Sequence, residues 1–243
     1  MLREWIGSRV IKDIKENGYV ITNKNFEGTV GVPRPAIEDD QVGMYRPLME
    51  GLGKSAAQFI DRLVFSLLKN GETTACYDGQ NFFGSAHPVY PNEDGSGTAT
   101  TASNLGAGTS TPWYLLDVNN VLKPLIWQSR KAAQFVSMTG DTDEQVFSTN
   151  LFRYGVDLRG NAGYGFWQLA YKSKATLDAA SYAAARAAMM SLKADGNREL
   201  SINPTLLIVP PSLEGAARTL LLKDPNGGNP WYGTAEVLVS PYV

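Results

Sequence analysis

The chain has one cysteine, Cys76, and one histidine, His87, among 243 residues. A single thiol closes no intramolecular disulfide and fits a reducing compartment. One thiol and one imidazole also fall short of the roughly four ligands that a structural zinc site takes. Surplus charge is missing too. Lys and Arg number 22 against 24 Asp and Glu, a net charge of −2 with the histidine neutral, which argues against a dedicated binder of nucleic acid or anionic membrane. No run approaches the ~18 apolar residues of a spanning helix, and Met1-Leu2-Arg3-Glu4-Trp5 places acid, base and indole where a signal peptide needs an apolar stretch. The chain reads as soluble, with no visible export signal.

What is present is enough apolar material for a sizeable core: 43% of residues are hydrophobic and 19% charged, which at this length means one large domain or two modest ones sharing a core. Arg9–Lys15 and Tyr19–Val32 read as two extended segments broken by Glu16-Asn17-Gly18 and Asn23-Lys24-Asn25, turn chemistry that tolerates positive φ. The apolar share there is thin, so the expectation is a protruding hairpin that cannot bury itself. Over Glu38–Asn70 apolar residues recur every three or four positions, the helical period. Asp39 or Asp40 can cap its start, and Asn70-Gly71 reads as a left-handed stop. Pro47 means that the helix either begins there or kinks there.

Asp78–Thr111 has loop composition. Trp113–Asp117, Leu122–Gln128 and Phe135–Met138 read as short strands. In Val146–Leu158, Phe152, Tyr154, Val156 and Leu158 alternate with Arg153, Gly155, Asp157 and Arg159, the period of an antiparallel strand with one solvated face. Arg159-Gly160-Asn161 then reads as a turn, with Tyr164–Tyr171 returning as partner. The last third reads as an α/β module: helix Leu177–Lys193 capped by Thr176, strand Pro204–Val209, helix Leu213–Leu222 capped by Ser212, and strand Val237–Ser240. A boundary is expected near Lys172.

Four groups could carry chemistry. Cys76 and His87 could act as nucleophile and base, with Asp78 or Asp94 orienting the imidazole; the plainer reading is a small apolar residue beside Tyr77 and a loop histidine before Pro88. Gly160-Asn161-Ala162-Gly163-Tyr164-Gly165 has phosphate-loop glycines but opens no helix, so it reads as a hairpin turn. Asp39/Asp40 and Asp141/Asp143/Glu144 could hold a hard cation, though a helix start and a polar loop account for them. Arg153, Arg159, Lys172 and Lys174 could touch nucleic acid, but more simply flank a solvated strand. No catalytic, cofactor-binding or metal residue is assigned. A chain of this length without a convergent acid, base or nucleophile set, yet with a charged hairpin and a long amphipathic helix, reads as an assembly subunit.

Several blocks, in order, resemble one family. They include Arg3-Glu4-Trp5-Ile6-Gly7, Phe26-Glu27-Gly28-Thr29-Val30-Gly31-Val32, Cys76-Tyr77-Asp78-Gly79-Gln80-Asn81-Phe82-Phe83, His87-Pro88-Val89-Tyr90-Pro91-Asn92, Lys123-Pro124-Leu125-Ile126-Trp127-Gln128, Ala162-Gly163-Tyr164-Gly165-Phe166-Trp167-Gln168 and Pro204-Thr205-Leu206-Leu207-Ile208-Val209-Pro210. From Arg3 to the C-terminus the chain is similar to the major head subunits of Mu-like bacteriophages and prophages, gene-product T.

The resemblance implies an α+β chain of the Hong Kong 97 capsid fold. It would have an N-terminal remnant and E-loop in residues 1–35, a peripheral domain in 36–172 with its spine helix at 38–70, and an axial α/β domain in 173–243, with a permuted domain order. It implies no enzyme and no cofactor. The implied product is a self-assembling head protein whose hexamers and pentamers form an icosahedral shell around weakly, non-specifically held double-stranded DNA, assembled in the bacterial host cytoplasm. Portal, scaffold or protease, and decoration proteins would be its partners. The resemblance further implies an arm-bearing segment upstream of Arg3, and hence a truncated or processed chain. An encapsulin-like compartment shell is the alternative within the fold, and a Cys76/His87 thiol hydrolase the alternative outside it.

Overall fold

The computed structural model describes residues 20–40, 43–223 and 227–243. In chain order β1 (Lys24–Pro33) is followed by the short helix α1 (Arg34–Glu38) and the 26-residue helix α2 (Tyr45–Asn70). Four short strands come next: β2 (His87–Val89), β3 (Thr100–Ala102), β4 (Leu105–Gly106) and β5 (Trp113–Leu116). Two 14-residue strands, β6 (Leu125–Met138) and β7 (Leu151–Tyr164), flank helix α3 (Glu144–Thr149). The rest comprises β8 (Ala170–Ser173), α4 (Ala179–Met190), β9 (Lys193–Ala194), β10 (Arg198–Glu199), β11 (Leu206–Val209), α5 (Glu214–Leu222) and β12 (Glu236–Val239). The chain is α+β, as expected.

Two bodies share this order. The first is an arm, in which a three-stranded antiparallel sheet β1-β7-β6 packs on α2. The alternation expected in β7 appears in its burial only from Leu158 onward, Leu151–Asp157 being half-buried throughout; on β1, Val32 is buried while Asn25, Glu27, Thr29 and Gly31 lie exposed on the other face. The second is a five-stranded sheet, β12-β11-β5-β8-β4, with α4 and α5. Trp113, Tyr114, Leu115, Leu207, Ile208, Val209, Tyr182, Met189 and Leu221 are nearly or fully buried around it. The chain runs through the arm, into this sheet by β4 and β5, out again along β6 and β7, and back at β8. Arm and sheet are therefore interleaved, which is how the strand order departs from a simple succession of domains. A boundary at Lys172 falls inside β8, because β8 pairs with β5 and β4 on its two sides.

Several local expectations change. The Arg9–Lys15 limb of the expected hairpin lies outside the described residues. Most of its other limb is the edge strand of the arm sheet: Lys24–Pro33 pairs residue by residue with Gly160–Leu151 of β7. Helix α2 starts at Tyr45, so Pro47 sits in the first turn, where an amide has no intrahelical acceptor. The Asp40 carboxylate accepts from the amides of Met44 and Tyr45, both at 3.2 Å, as expected for a residue before the helix. Gly71 is not a left-handed stop: its φ is −64°. It is required by packing instead, because a Cβ there would lie 2.5 Å from the Phe83 ring.

Arg159-Gly160-Asn161 is not a turn either. β7 runs straight through it, and a Cβ at Gly160 would lie 2.7 Å from both the Trp127 ring and the Gln128 carbonyl, so the glycine admits a close strand crossing beside the register shift of β6. Tyr164–Tyr171 consequently does not return on β7. It ends that strand, makes a 3₁₀ turn at Trp167–Leu169 and enters the other sheet. Val146–Thr149 is helix, ended by Asn150 in the left-handed region at φ 53°. Leu125–Gln128 and Phe135–Met138 are parts of one strand, β6, and Leu122–Pro124 lie in the loop before it. The cap of α4 is Asp178, in a reciprocal capping box with Ser181, and not Thr176; no side chain caps α5, where Ser212 was expected to do so.

Candidate functional site

The nucleophile-and-base reading brought the correct residues together in the wrong order. The Asp78 carboxylate is the centre: the Cys76 thiol donates to Oδ1 at 3.1 Å, the Gln80 amide to the same oxygen at 2.9 Å, and His87 Nδ1 lies 2.6 Å from Oδ2. His87 is fully buried, stacked on Trp167 at 3.9 Å between ring centroids. Its Nε2 has no partner and faces the space beside Gly84, where a Cβ would lie 3.3 Å away. The thiol therefore has no base, and burial together with the Asp78 carboxylate pushes it up to about 12. Against the cost of its own burial, Asp78 is held below its usual range by the hydrogen bonds from His87, Cys76 and Gln80. Such a cluster ties the 76–87 loop to Trp167; it presents no nucleophile. Asp94, the other suggested orienting group, accepts from Ser96 in a separate turn.

Among the described residues, Cys76, Asp78 and His87 are also the one group of three possible metal donors within 4.8 Å of one another, and there the Cys76 thiol and His87 Nδ1 are hydrogen-bonded to the Asp78 carboxylate. The acidic groups considered for a cation have other roles. Asp40 binds the start of α2, Asp141 pairs with Arg34 at 2.7 Å, and Asp143 accepts from the Gly140 amide ahead of α3.

The suggested basic group is dispersed. Arg153 and Arg159 lie on the outward face of β7, in the arm. Lys172 and Lys174 lie at β8 and both grip Glu72, at 2.7 Å each. The Lys172 side chain is only 5% exposed, with its ammonium over the rings of Phe83 and Tyr114. Sequence reasoning missed this clamp because its partner is a hundred residues away. It missed Asn104 for the same reason: that buried amide accepts from the Gly84 amide and donates to the carbonyls of Phe82 and Trp167.

No buried reaction centre emerges from these groups; what the molecule presents is surface. Among the described residues of α2, Leu68 is the one fully buried large side chain, and β6 is exposed from Ser129 to Met138. An arm this bare, with Leu48, Phe135, Val136 and Phe147 each at least half exposed, is built to be covered by other chains.

The comparisons agree. The sequence matches, over residues 1–243, the family described as Mu-like prophage major head subunit gpT. It is 45% identical over 226 residues to the major capsid protein of Escherichia phage Mu, covering 92% of this chain and 74% of that protein. It is 45% identical over 227 residues, with the same coverage, to the Mu-like prophage FluMu major head subunit of Haemophilus influenzae. Among solved structures, the procapsid of bacteriophage JBD30 superposes with a TM-score of 0.84 at 50% identity, covering all of this chain and 83% of the other. The JBD30 capsid decorated with minor capsid protein trimers gives 0.80 at 34% identity, covering 100% and 82%. No described helix is long and apolar enough to cross a membrane.

Proposed function

The chain belongs to the family of Mu-like prophage major head subunits, and from that premise we propose that its copies assemble, as hexamers and pentamers, into the icosahedral head shell of a Mu-like tailed phage or prophage around double-stranded DNA. The observation that carries this is the match along the whole chain to capsid subunits, in sequence and in fold. The bare arm supports it from the physical side. On this reading the arm of β1, α2, β6 and β7 is the peripheral domain with α2 as its spine. The five-stranded sheet with α4 and α5 is the axial domain, formed by residues 173–243 together with β4, β5 and the start of β8.

Packaged DNA is held weakly. A net charge of −2, with Lys131 paired to Asp157 and Lys172 and Lys174 paired to Glu72, offers phosphate no surplus of positive charge, so non-specific affinity in the ~10⁻⁴–10⁻⁶ M range or weaker is expected. Assembly in the host cytoplasm, with portal, scaffold or protease, and decoration proteins as partners, belongs to the same proposal. Head particles purified from a producing strain test it: they should contain this chain as their main protein and yield nuclease-protected double-stranded DNA. Particles holding a cargo enzyme and no DNA would replace it with a compartment shell.

A further inference from the structure

Five glycines of the arm serve neither a turn nor a close contact: Gly51 and Gly53 in α2, Gly28 and Gly31 in β1, and Gly155 in β7. None has a left-handed φ. A Cβ would meet nothing within 4 Å at Gly31, Gly51 or Gly53. At Gly28 it would meet only a Val156 methyl at 3.8 Å, and at Gly155 the Thr29 hydroxyl at 3.6 Å and a backbone oxygen at 3.9 Å. Gly71 and Gly160 differ, because their surroundings leave no room for a methyl. Alanine at the five positions would fit and would make the helix and strands firmer, since glycine weakens both. The arm is softer than its packing requires.

The soft positions stand level with one another. Phe59 of α2 meets Phe26 of β1 edge to face, with ring centroids 4.8 Å apart. From that contact towards Tyr45, Gly53 and Gly51 lie about 9–12 Å along the helix at 1.5 Å per residue. Gly28 and Gly31 lie about 7–17 Å along β1 at ~3.3 Å per residue, and Gly155 stands opposite Thr29 between them. The third strand, β6, enters this band after two register shifts in its ladder with β7, between Ser129 and Lys131 and between Lys131 and Gln134. Helix and sheet are thus weakened across the same stretch.

On either side of the band the arm is fastened. At the root, the Tyr164 hydroxyl donates to the Leu67 carbonyl at 2.7 Å, and Leu68 lies in the core with Phe82 and Phe83. At the tip, the Arg34 amide donates to the Asn150 carbonyl at 3.0 Å, its guanidinium pairs with Asp141 at 2.7 Å and lies over the Phe152 ring, and Asp40 accepts the amides of Met44 and Tyr45. Helices bend where glycine and serine cluster, and Gly51-Leu52-Gly53-Lys54-Ser55 is such a stretch.

We propose that the arm bends at this glycine band, so that its tip takes different angles to its root in copies of the chain whose surroundings in a closed shell differ. The inference rests on the head-subunit reading above, since that reading supplies the differing surroundings.

The test uses shells made by producing the chain with the other head proteins of the phage. In a reconstruction, the symmetry-independent copies, superposed on residues 60–70, should differ in the direction of residues 45–50 by on the order of 10–20°. Gly51→Ala together with Gly53→Ala should give a more stable subunit yet roughly ten-fold fewer sedimenting shells, the weight of two such changes in a helix. Gly215→Ala, in α5 with nothing within 4 Å of the added methyl, adds stability outside the arm and should assemble like the unsubstituted protein. One common direction of residues 45–50 in all copies, normal shell yield from the double variant, or an equal loss from Gly215→Ala would each overturn the proposal and leave the head-subunit reading standing. Failure of the unsubstituted protein to form shells would remove that reading, and this inference with it.

Discussion

The Glu72 carboxylate, two residues beyond the end of α2, lies 2.7 Å from the ammonium of Lys172 on β8, and this pair fastens the arm to the five-stranded sheet. Lys174 adds a second grip at 2.7 Å. Because the Lys172 ammonium is buried against two aromatic rings, removing its counter-charge leaves a cation that water cannot reach.

Glu72→Gln should therefore be costly. Breaking a buried pair from one side costs about 3–5 kcal/mol, and the partial exposure of Glu72 brings the expectation to about 2–3 kcal/mol. At ~2–4 °C per kcal/mol for a chain of this size, calorimetry should show a fall in Tm of about 5–10 °C. Lys172→Met removes the buried charge itself and leaves Glu72 with Lys174, so it should cost less than Glu72→Gln. The reverse order would mean that the clamp holds through Lys174.

Acid should loosen the same joint. Despite the opposing effect of burial, the two lysines hold Glu72 below its ordinary value of 4.5, and the bonds from His87, Cys76 and Gln80 hold Asp78 below 3.8. A carboxyl with a depressed folded-state value contributes stability that is present above the ordinary value and disappears as pH falls through the folded one. Tm should thus be insensitive to these two groups near neutral pH and drop below about pH 4.5, and Glu72→Gln should flatten that part of the profile. A profile of equal steepness in the variant would assign the acid sensitivity to other carboxyls.

The thiol should be inert. With Cys76 pushed up to about 12, its reaction with a disulfide reagent at pH 8 should be on the order of a hundredfold slower than in urea. Cys76→Ala should leave assembly intact; a rapid reaction in the folded protein would show that the thiol escapes Asp78.

Glycines sort by what surrounds them. Gly71→Ala drives a methyl into the buried Phe83 ring and should cost about 1–3 kcal/mol. Gly51→Ala and Gly53→Ala, inside α2 with nothing within 4 Å of the added methyl, should each stabilise the isolated subunit by about 0.5–1 kcal/mol. Denaturant midpoints of the three variants would separate the two cases.

The sequence made some of this legible and hid the rest for definite reasons. Periodicity found α2 because one stripe of a helix must stay apolar, and it found β7 as a strand although only its second half, from Leu158, alternates in burial. Gly160 and Gly71 were misread as turn and stop, since a glycine needed for a close crossing looks in sequence like one needed for positive φ. The membership of β4, β5 and β8 in one sheet with β11 and β12 depends on pairings up to a hundred residues apart, and nothing local encodes them. The Cys76, Asp78 and His87 grouping was visible, but not that Asp78 sits between the other two. The Glu72 clamp was invisible, and its lysines looked like nucleic-acid contacts. The family resemblance reached further than periodicity because it compares whole blocks whose spacing already reflects those distant contacts.

The central claim is that copies of this chain build a head shell, and electron microscopy of the protein produced with its head partners tests it most directly. The account predicts closed icosahedral particles in which this fold repeats as hexamers and pentamers, with the arm covered by neighbouring copies. Dispersed, folded monomers under those conditions, with the arm exposed to solvent, would contradict it.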